Sequence, residues 1–469
     1  MTFNSTEFLF FFPVILTFYA LAFHRGRWRE GVLLVASYLF YMSWNWRYAG
    51  LLLLSTAVDY SVGRLIVQES RPIVRKTILI VSLCSNLGML CIFKYYNFFV
   101  ELVGGQTAAL GLNISFLKHE LLLPVGISFY TFQTMSYTID LYRGEKVFEK
   151  DFLKFAVFVA FFPQLVAGPI VRAKQFLPQL HQVPDVTCQR VQDGLLLVFR
   201  GLFKKVVIAD LLGLLAVDKA FANPGAFSSW DLLIALYAYT FQIYNDFSGY
   251  SDIAIGLARI LGFDLPQNFN RPYLSQSVRE FWTRWHISLS TWLRDYLYIS
   301  LGGNRVPLWR VRVNLMITML LGGLWHGAAL HFIAWGAYHG FLLMMGKGKE
   351  GKSSKSEHVW GASVLGRQVV CFHLIVFGWL LFRVQDLPNF VHYTEGLIKN
   401  GLGTQFHELF YAVLGLAIAL HVIPLTRWAA MEKRFLQLPV PAQAVAYALL
   451  LIMFCGFTLE APSFIYFQF

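Results

Sequence analysis

The sequence predicts an all-α, polytopic membrane protein, and three observations carry that expectation. Of the 469 residues, 57% are hydrophobic and only 14% are charged, well below the roughly 25% charged residues of a soluble globular chain. The mean hydropathy is +0.53. Several apolar runs reach the ~20 residues that a helix needs to cross a bilayer, whereas the ~10-residue alternating segments of an outer-membrane barrel are not evident. Backbone polar groups in hydrocarbon must be bonded within their own segment, so spans of this kind are helices.

The run 8–23 has no basic stretch before it and no small-residue cleavage site after it. It reads as a first transmembrane helix rather than a cleaved signal peptide. It ends at Arg25, Arg27 and Arg29, which places that loop in the cytoplasm and the N-terminus outside. Residues 31–44 run outward to an end rich in Tyr and Trp. Residues 48–67 return to Arg71, Arg75 and Lys76, and 77–103 lead to an outer loop at 104–120. Residues 121–142 come back in to Arg143, Lys146, Lys150 and Lys154. The run 152–170 has basic flanks at both ends and is interrupted by Pro163, Gly168 and Pro169. It predicts a re-entrant segment, tolerated only where protein or a cavity covers its irregular backbone. Residues 194–217 carry Lys204 and Lys205 mid-run and read as an interfacial segment leading into a shorter span.

Residues 230–263 return inward and hold a dense polar island, Tyr244-Asn245-Asp246-Phe247-Ser248-Gly249-Tyr250-Ser251-Asp252. Polar groups at such depth line a cavity or pair across helices. The stretch 262–312 is the longest basic one. Within it Trp282, Trp285, Leu289, Trp292 and Tyr296 recur at three and four residues. That spacing predicts one amphipathic helix, its aromatic stripe lying on the cytoplasmic surface.

The run 313–345 follows, with no Lys, Arg, Asp or Glu between Asn314 and Gly346. It contains Gly322-Gly323-Leu324-Trp325-His326-Gly327-Ala328. An imidazole there is costly unless it faces protein or a water-filled cavity. It exchanges a proton near neutral pH, so His326 is a candidate acid or base; a packed histidine bonded to a carbonyl is the alternative. The small residues beside it leave room for a ligand or for a second helix. Both flanks of the run are basic, so the segment enters from the cytoplasm and returns. After a Gly/Ser/Lys-rich loop at 347–355, residues 364–382 go out, 410–424 come in and 442–459 go out. The tail 462–469 then lies outside. Neither an inverted repeat of the transporter kind nor a soluble domain is visible.

The net charge of +12 fits Lys- and Arg-rich cytoplasmic loops rather than nucleic-acid binding. Five scattered cysteines have neither disulfide density nor zinc spacing. His326, His331 and His339, taken on one helix, point to different faces and lack i, i+4 spacing, so no metal is expected.

Taken together, several strings resemble the membrane-bound O-acyltransferase family. They are Arg271-Pro272-Tyr273, the run from Glu280 to Ser290, Trp292-Leu293-Arg294-Asp295-Tyr296, Leu301-Gly302-Gly303 and the His326 stretch. Gln242 to Asp252, Phe8 to Pro13 and Phe464 to Phe469 fit as well. The similarity spans almost the whole chain and is nearest the bacterial branch that acetylates exported polysaccharides such as alginate. It implies a single integral-membrane domain over 1–469, with its core at about 121–385 and an extracytoplasmic aromatic motif at 462–469. The implied fold is a helical bundle with re-entrant and amphipathic helices around a central tunnel. The implied activity moves acetyl from cytoplasmic acetyl-CoA across the cell inner membrane, through a periplasmic SGNH-type partner, to the polymer. Acetyl-CoA is then a substrate, and no permanently bound cofactor is expected.

The resemblance assigns the catalytic histidine to His326. It assigns to His286 a second polar position that is often Asn in the family, which favours a hydrogen-bonding or donor-orienting role. Arg279, Arg284, Arg294 and Arg305 either bind the CoA phosphates or anchor their helix to anionic lipid. Asp246 and Asp252 are read as polar glue. His373 either lines the tunnel or is structural. Tyr466 is read two ways, as a covalent acyl carrier through its phenol or as an interfacial aromatic anchor. The rival readings are a transporter or flippase without chemistry and a scaffold that recruits an esterase.

Overall fold

The computed structural model describes residues 1–108, 115–119, 121–346, 362–457 and 464–465, and among them the regular elements are helices. The chain divides into two compact units, Met1–Val198 with Ile253–Pro266, and Phe199–Asp252 with Gln267–Phe469.

In the first unit, α1 (Thr6–Ala22) starts where the Ser5 hydroxyl accepts the Phe8 N–H, so one of the helix's orphan donors is capped. A 3-10 turn at Trp46–Tyr48 joins α2 (Gly26–Asn45) to α3 (Ala49–Gln68). α4 (Pro72–Leu90) opens with proline, which needs no N–H partner there, and continues through π-helical Cys91–Tyr95 into α5 (Tyr96–Ala108). The apolar stretch Pro72–Gly105 is 34 residues long. At ~1.5 Å per residue it exceeds the ~30 Å hydrocarbon thickness.

α6 (Ile127–Tyr142) packs on α3 and α4 with a face rich in hydroxyls. Between them Asp59 accepts from Ser82 at 2.6 Å and from Asn86 at 2.8 Å, and Ser82 meets Thr138 at 3.1 Å. A carboxylate buried in an apolar bundle is tolerable only with donors of this kind. α7 (Phe152–Ala160) is capped by Asp151, breaks at Phe161, and restarts as the single turn α8 (Phe162–Leu165) with Pro163 in its first positions. Residues 155–173 are all buried, so protein covers the irregular backbone around these breaks. α9 (Ala173–Leu180) and α10 (Cys188–Leu202) follow.

In the second unit α10 gives way to π-helical Phe203–Asp210 and Gly213–Val217, then α11 (Asp218–Ala222) and the 32-residue α12 (Ser229–Ile260). Lys205 does not face an interface. It is 1% exposed and sits between Asp210 and Asp246, 2.7 Å from each. Lys204 and Arg200 likewise pair with Asp252, and Arg200 also reaches Glu432.

The expected amphipathic helix over 279–300 is broken. It consists of α13 (Val278–Arg284), α14 (Ile287–Trp292) and π-helical Leu293–Tyr298, with His286 in the left-handed conformation between the first two. Trp285, Trp292 and Tyr296 are buried. They fill the interior of this unit rather than coating a membrane surface. The run 313–345 is also two helices, α15 (Leu308–His326) and α16 (Leu330–Met345), with the chain extended at Gly327 and Ala329. His326 therefore ends one helix, while His331 and His339 belong to the next. The single-helix geometry assumed for the three histidines does not hold.

α15 and α16 approach through glycine. A Cβ at Gly323 would lie 2.2 Å from the Phe332 carbonyl oxygen, and one at Gly336 would lie 2.4 Å from that of Met319. Gly340 meets Met316, so the paired numbers rise on one helix as they fall on the other and the two run antiparallel. The remaining helices are α17 (Ala362–Arg383), α18 (Leu387–Lys399), α19 (Glu408–Val422), α20 (Leu425–Leu436) and α21 (Val440–Phe457). The apolar span Ser363–Arg383 has 21 residues, and α19 turns by 100° into the polar α20. α18 has no counterpart in the spans read from hydropathy.

Gly323→Ala and Gly336→Ala are expected to destabilise the protein by about 1–3 kcal/mol, the usual cost of overpacking. Gly415→Ala, whose Cβ meets nothing within 4 Å, should be neutral or slightly stabilising. Thermal unfolding in detergent measures the contrast.

Candidate active site

His326 closes α15 and is 6% exposed. Its ring meets Trp325 at 5.1 Å, Trp335 at 5.2 Å and Phe382 at 5.2 Å, each edge to face. Trp335 comes from α16 and Phe382 from α17, so three helices form the wall around one imidazole. The neighbouring glycines are occupied by protein. A Cβ at Gly327 would fall 2.0 Å from the Phe332 ring. Gly323 and Gly327 are thus helix and side-chain packing positions, and the expectation of substrate clearance at them gives way to the helix-packing alternative.

His286 reaches the same wall from another direction. Its φ of 42° is one that non-glycine residues adopt only when the surroundings enforce it. Asn268 is the enforcer. Its carbonyl oxygen accepts the Ile287 N–H at 2.9 Å. Its side-chain oxygen accepts the Ser288 N–H at 3.0 Å and the Ser288 hydroxyl at 2.8 Å. The Asn270 N–H donates to the Arg284 carbonyl on the other side of the turn. The His286 imidazole is fully buried, stacks on Phe247 at 4.6 Å and lies 6.0 Å from the Trp325 ring. Both histidines therefore rest against one indole. Trp285 packs on Trp379 at 4.7 Å and on Phe269 at 5.0 Å, which extends the aromatic shell behind them.

The other candidates separate clearly. His331 donates from Nδ1 to the Leu381 carbonyl at 3.2 Å, a structural bond. His339 is buried behind Trp335, its ring 4.8 Å away, in space left by Gly378. His373 is exposed; its Nδ1 donates to Val369 and its Nε2 accepts from Tyr237. Asp246 and Asp252 are held in ion pairs with Lys205 and with Arg200 and Lys204. Arg284 pairs with Glu280 and Arg294 with Asp295, while Arg279 and Arg305 are exposed. Tyr466 lies outside the described residues.

The roles of three residues escaped the sequence reading. Asn268 carries no motif signal. Lys205 was visible only as a charge in an apolar run. Arg271, also left-handed, donates to the carbonyls of His421 and Ile423 and so clamps the bend between α19 and α20.

Residues 53–377 match the membrane-bound O-acyltransferase family. The chain belongs to this family. A probable alginate O-acetylase, AlgI, of Pseudomonas aeruginosa is 44% identical over 413 residues, covering 86% of this chain and 75% of that protein. A peptidoglycan O-acetyltransferase of Helicobacter pylori is 34% identical over 401 residues, 79% of this chain and 74% of its own length. A teichoic acid D-alanyltransferase of Streptococcus thermophilus is 33% identical over 240 residues, 48% of this chain and 57% of that one. The protein is therefore an O-acyltransferase and, with its long apolar helices, a multi-pass membrane protein. Both site histidines fall inside the matched region.

Asn268→Ala should cost about 1–3 kcal/mol, because it leaves the buried Ser288 N–H without its acceptor. It should also release His286 from its turn and lower transfer activity. Unfolding and activity measured on the same preparation check both effects.

Proposed function

We propose that this protein takes acetyl from acetyl-CoA on the cytoplasmic side of the inner membrane and passes it outward for O-acetylation of an exported polysaccharide. Similarity over most of the chain to proteins named for acetylating alginate and peptidoglycan supports the glycan acceptor. Alginate is the first polymer to test. The observation that carries the reading is the placement of His326 and His286 against one indole, Trp325, within an aromatic wall.

The chemistry follows from two imidazoles. His326 accepts the proton of an acceptor hydroxyl as its oxygen bonds to the thioester carbonyl carbon. The carbon–sulfur bond breaks, and the CoA thiolate recovers that proton from the imidazolium. The products are an oxygen ester and the free thiol of CoA. His286, held by its turn, orients the donor or supports the developing oxyanion, a task that rewards a rigid mount. Of the four candidate arginines, the exposed Arg279 and Arg305 supply the cationic surface for the CoA phosphates, while Arg284 and Arg294 are paired with Glu280 and Asp295. The first acceptor is the Tyr466 phenol or the serine of a periplasmic SGNH-type partner.

A transport path for a polymer would use the polar island on α12. Its charged members are instead engaged within the chain, Asp246 with Lys205 and Asp252 with Arg200 and Lys204, which favours chemistry over transport.

Protein reconstituted in vesicles with labelled acetyl-CoA tests the reading. Wild type should transfer label, and His326→Ala should lose roughly a hundredfold or more, the contribution expected of a general base. Transfer at the wild-type rate by His326→Ala would refute it. Mass spectrometry of the C-terminal peptide separates the acceptors. Tyr466→Phe should abolish an acetylated peptide and slow transfer, whereas full activity in that variant assigns the first ester to the partner.

A further inference from the structure

The charged cluster at Lys205 has a third participant. Asp246 uses one carboxylate oxygen for Lys205 at 2.7 Å and the other to accept the backbone N–H of Ile465 at 3.0 Å. The Lys205 ammonium lies 4.5 Å from the centre of the Phe464 ring, and Tyr250 meets that ring edge to face at 4.8 Å. Phe464 is 2% exposed and Ile465 is 7% exposed. The sequence places this dipeptide in an outer aromatic tail, yet it is seated among buried charges of its own chain.

We propose that Lys205, Asp246 and Tyr250 form a seat for the C-terminal segment, and that Lys205 and Asp246 act as positioning residues for Tyr466. This rests on the reading of Tyr466 as an acyl carrier. The physical case begins with what the seat offers. A carboxylate accepting a backbone N–H makes a charge-assisted bond, stronger than a neutral one and independent of the side chain. An ammonium over an aromatic face is an attraction that grows when water is excluded. One contact fixes the backbone at 465 and the other selects an aromatic ring at 464. Tyr466 follows Ile465 directly in the sequence. Asp210 completes the arrangement by holding Lys205 from the other side at 2.7 Å. The ammonium is thereby fixed where Phe464 binds. The same charges that make the interior of this unit costly to build thus give the tail a defined docking point.

The obvious variant, Asp246→Asn, also disturbs a buried ion pair and can fail to fold. Ile465→Pro is the more local probe, since it removes the donated N–H and leaves the Lys205–Asp246 ion pair in place. Ile465→Val keeps that donor and serves as the conservative control. Full-length protein in lipid nanodiscs is given labelled acetyl-CoA and, separately, a carboxypeptidase. In Ile465→Pro the tail should be trimmed at least tenfold faster than in wild type, and acetyl recovered on the Tyr466 peptide should fall at least tenfold. Ile465→Val should stay within twofold on both. Equal trimming of Ile465→Pro and wild type would overturn the seat. Fast trimming with undiminished acetylation of Tyr466 would overturn the positioning role. If wild type carries no acetyl on Tyr466, the carrier reading and the positioning role fall together, and the trimming comparison still decides the seat.

Discussion

A charge buried among apolar side chains has to find its partner in the chain, and the interior of the second unit is arranged around that constraint. Lys205 is the sharpest case. A lone ammonium there would be prohibitively desolvated. It is instead clasped by Asp210 and Asp246 from a neighbouring turn and from α12. Asp252, six residues after Asp246 on α12, repeats the arrangement with Arg200 and Lys204. The segment carrying those basic residues is therefore fixed along α12 by charge at two levels. Gly249, whose missing Cβ leaves room for the Gly201 carbonyl at 2.8 Å, lets the two backbones come close enough for it. The aromatic wall that holds the two histidines is built from the same helix, through Phe247, which lies one residue beyond Asp246.

Much of the architecture is legible in the sequence because hydropathy reports directly on burial in lipid or protein. The spans read at 8–23, 48–67 and 364–382 match α1, α3 and α17 to within a few residues. What hydropathy does not report is where a helix breaks. Trp282, Trp285, Leu289, Trp292 and Tyr296 keep three- and four-residue spacing across His286, so periodicity runs through a left-handed residue without registering it. The information that breaks the helix sits in Asn268, outside the helical stretch itself, whose three bonds fix the turn. The run 313–345 hides its break for a related reason. Gly327 and Ala329 are as apolar as their neighbours, and only their extended backbone separates α15 from α16.

The site shows the same division. His326 stood out because an ionisable residue in an uncharged run is conspicuous. Its setting did not, since the wall around it comes from Trp335 and Phe382 on other helices. The glycines next to it were legible as small and illegible as to purpose. The space they leave is taken by the Phe332 ring and by the backbone of α16. The tail was read as external from the count of spans that precede it. Its seat depends on Lys205 and Asp246, which lie more than two hundred residues earlier in the chain.

The mounting of the two histidines differs in a way that bears on their roles. His326 ends a helix at a glycine and is walled by rings, contacts that hold a side chain by shape. His286 is carried on strained backbone, a conformation costing on the order of 1–3 kcal/mol that must be offset by the surrounding bonds. Strain of that kind is tolerable when the geometry it enforces is needed. The turn delivers the His286 ring to Phe247 and Trp325, whereas a continuous helix through 279–300 would carry residue 286 elsewhere. A conformational cost incurred to place one ring suits a group whose task is orientation. A ring held by its walls at a helix end suits a group that exchanges a proton while staying in place. The division of labour proposed for His286 and His326 takes its support from these two mounts.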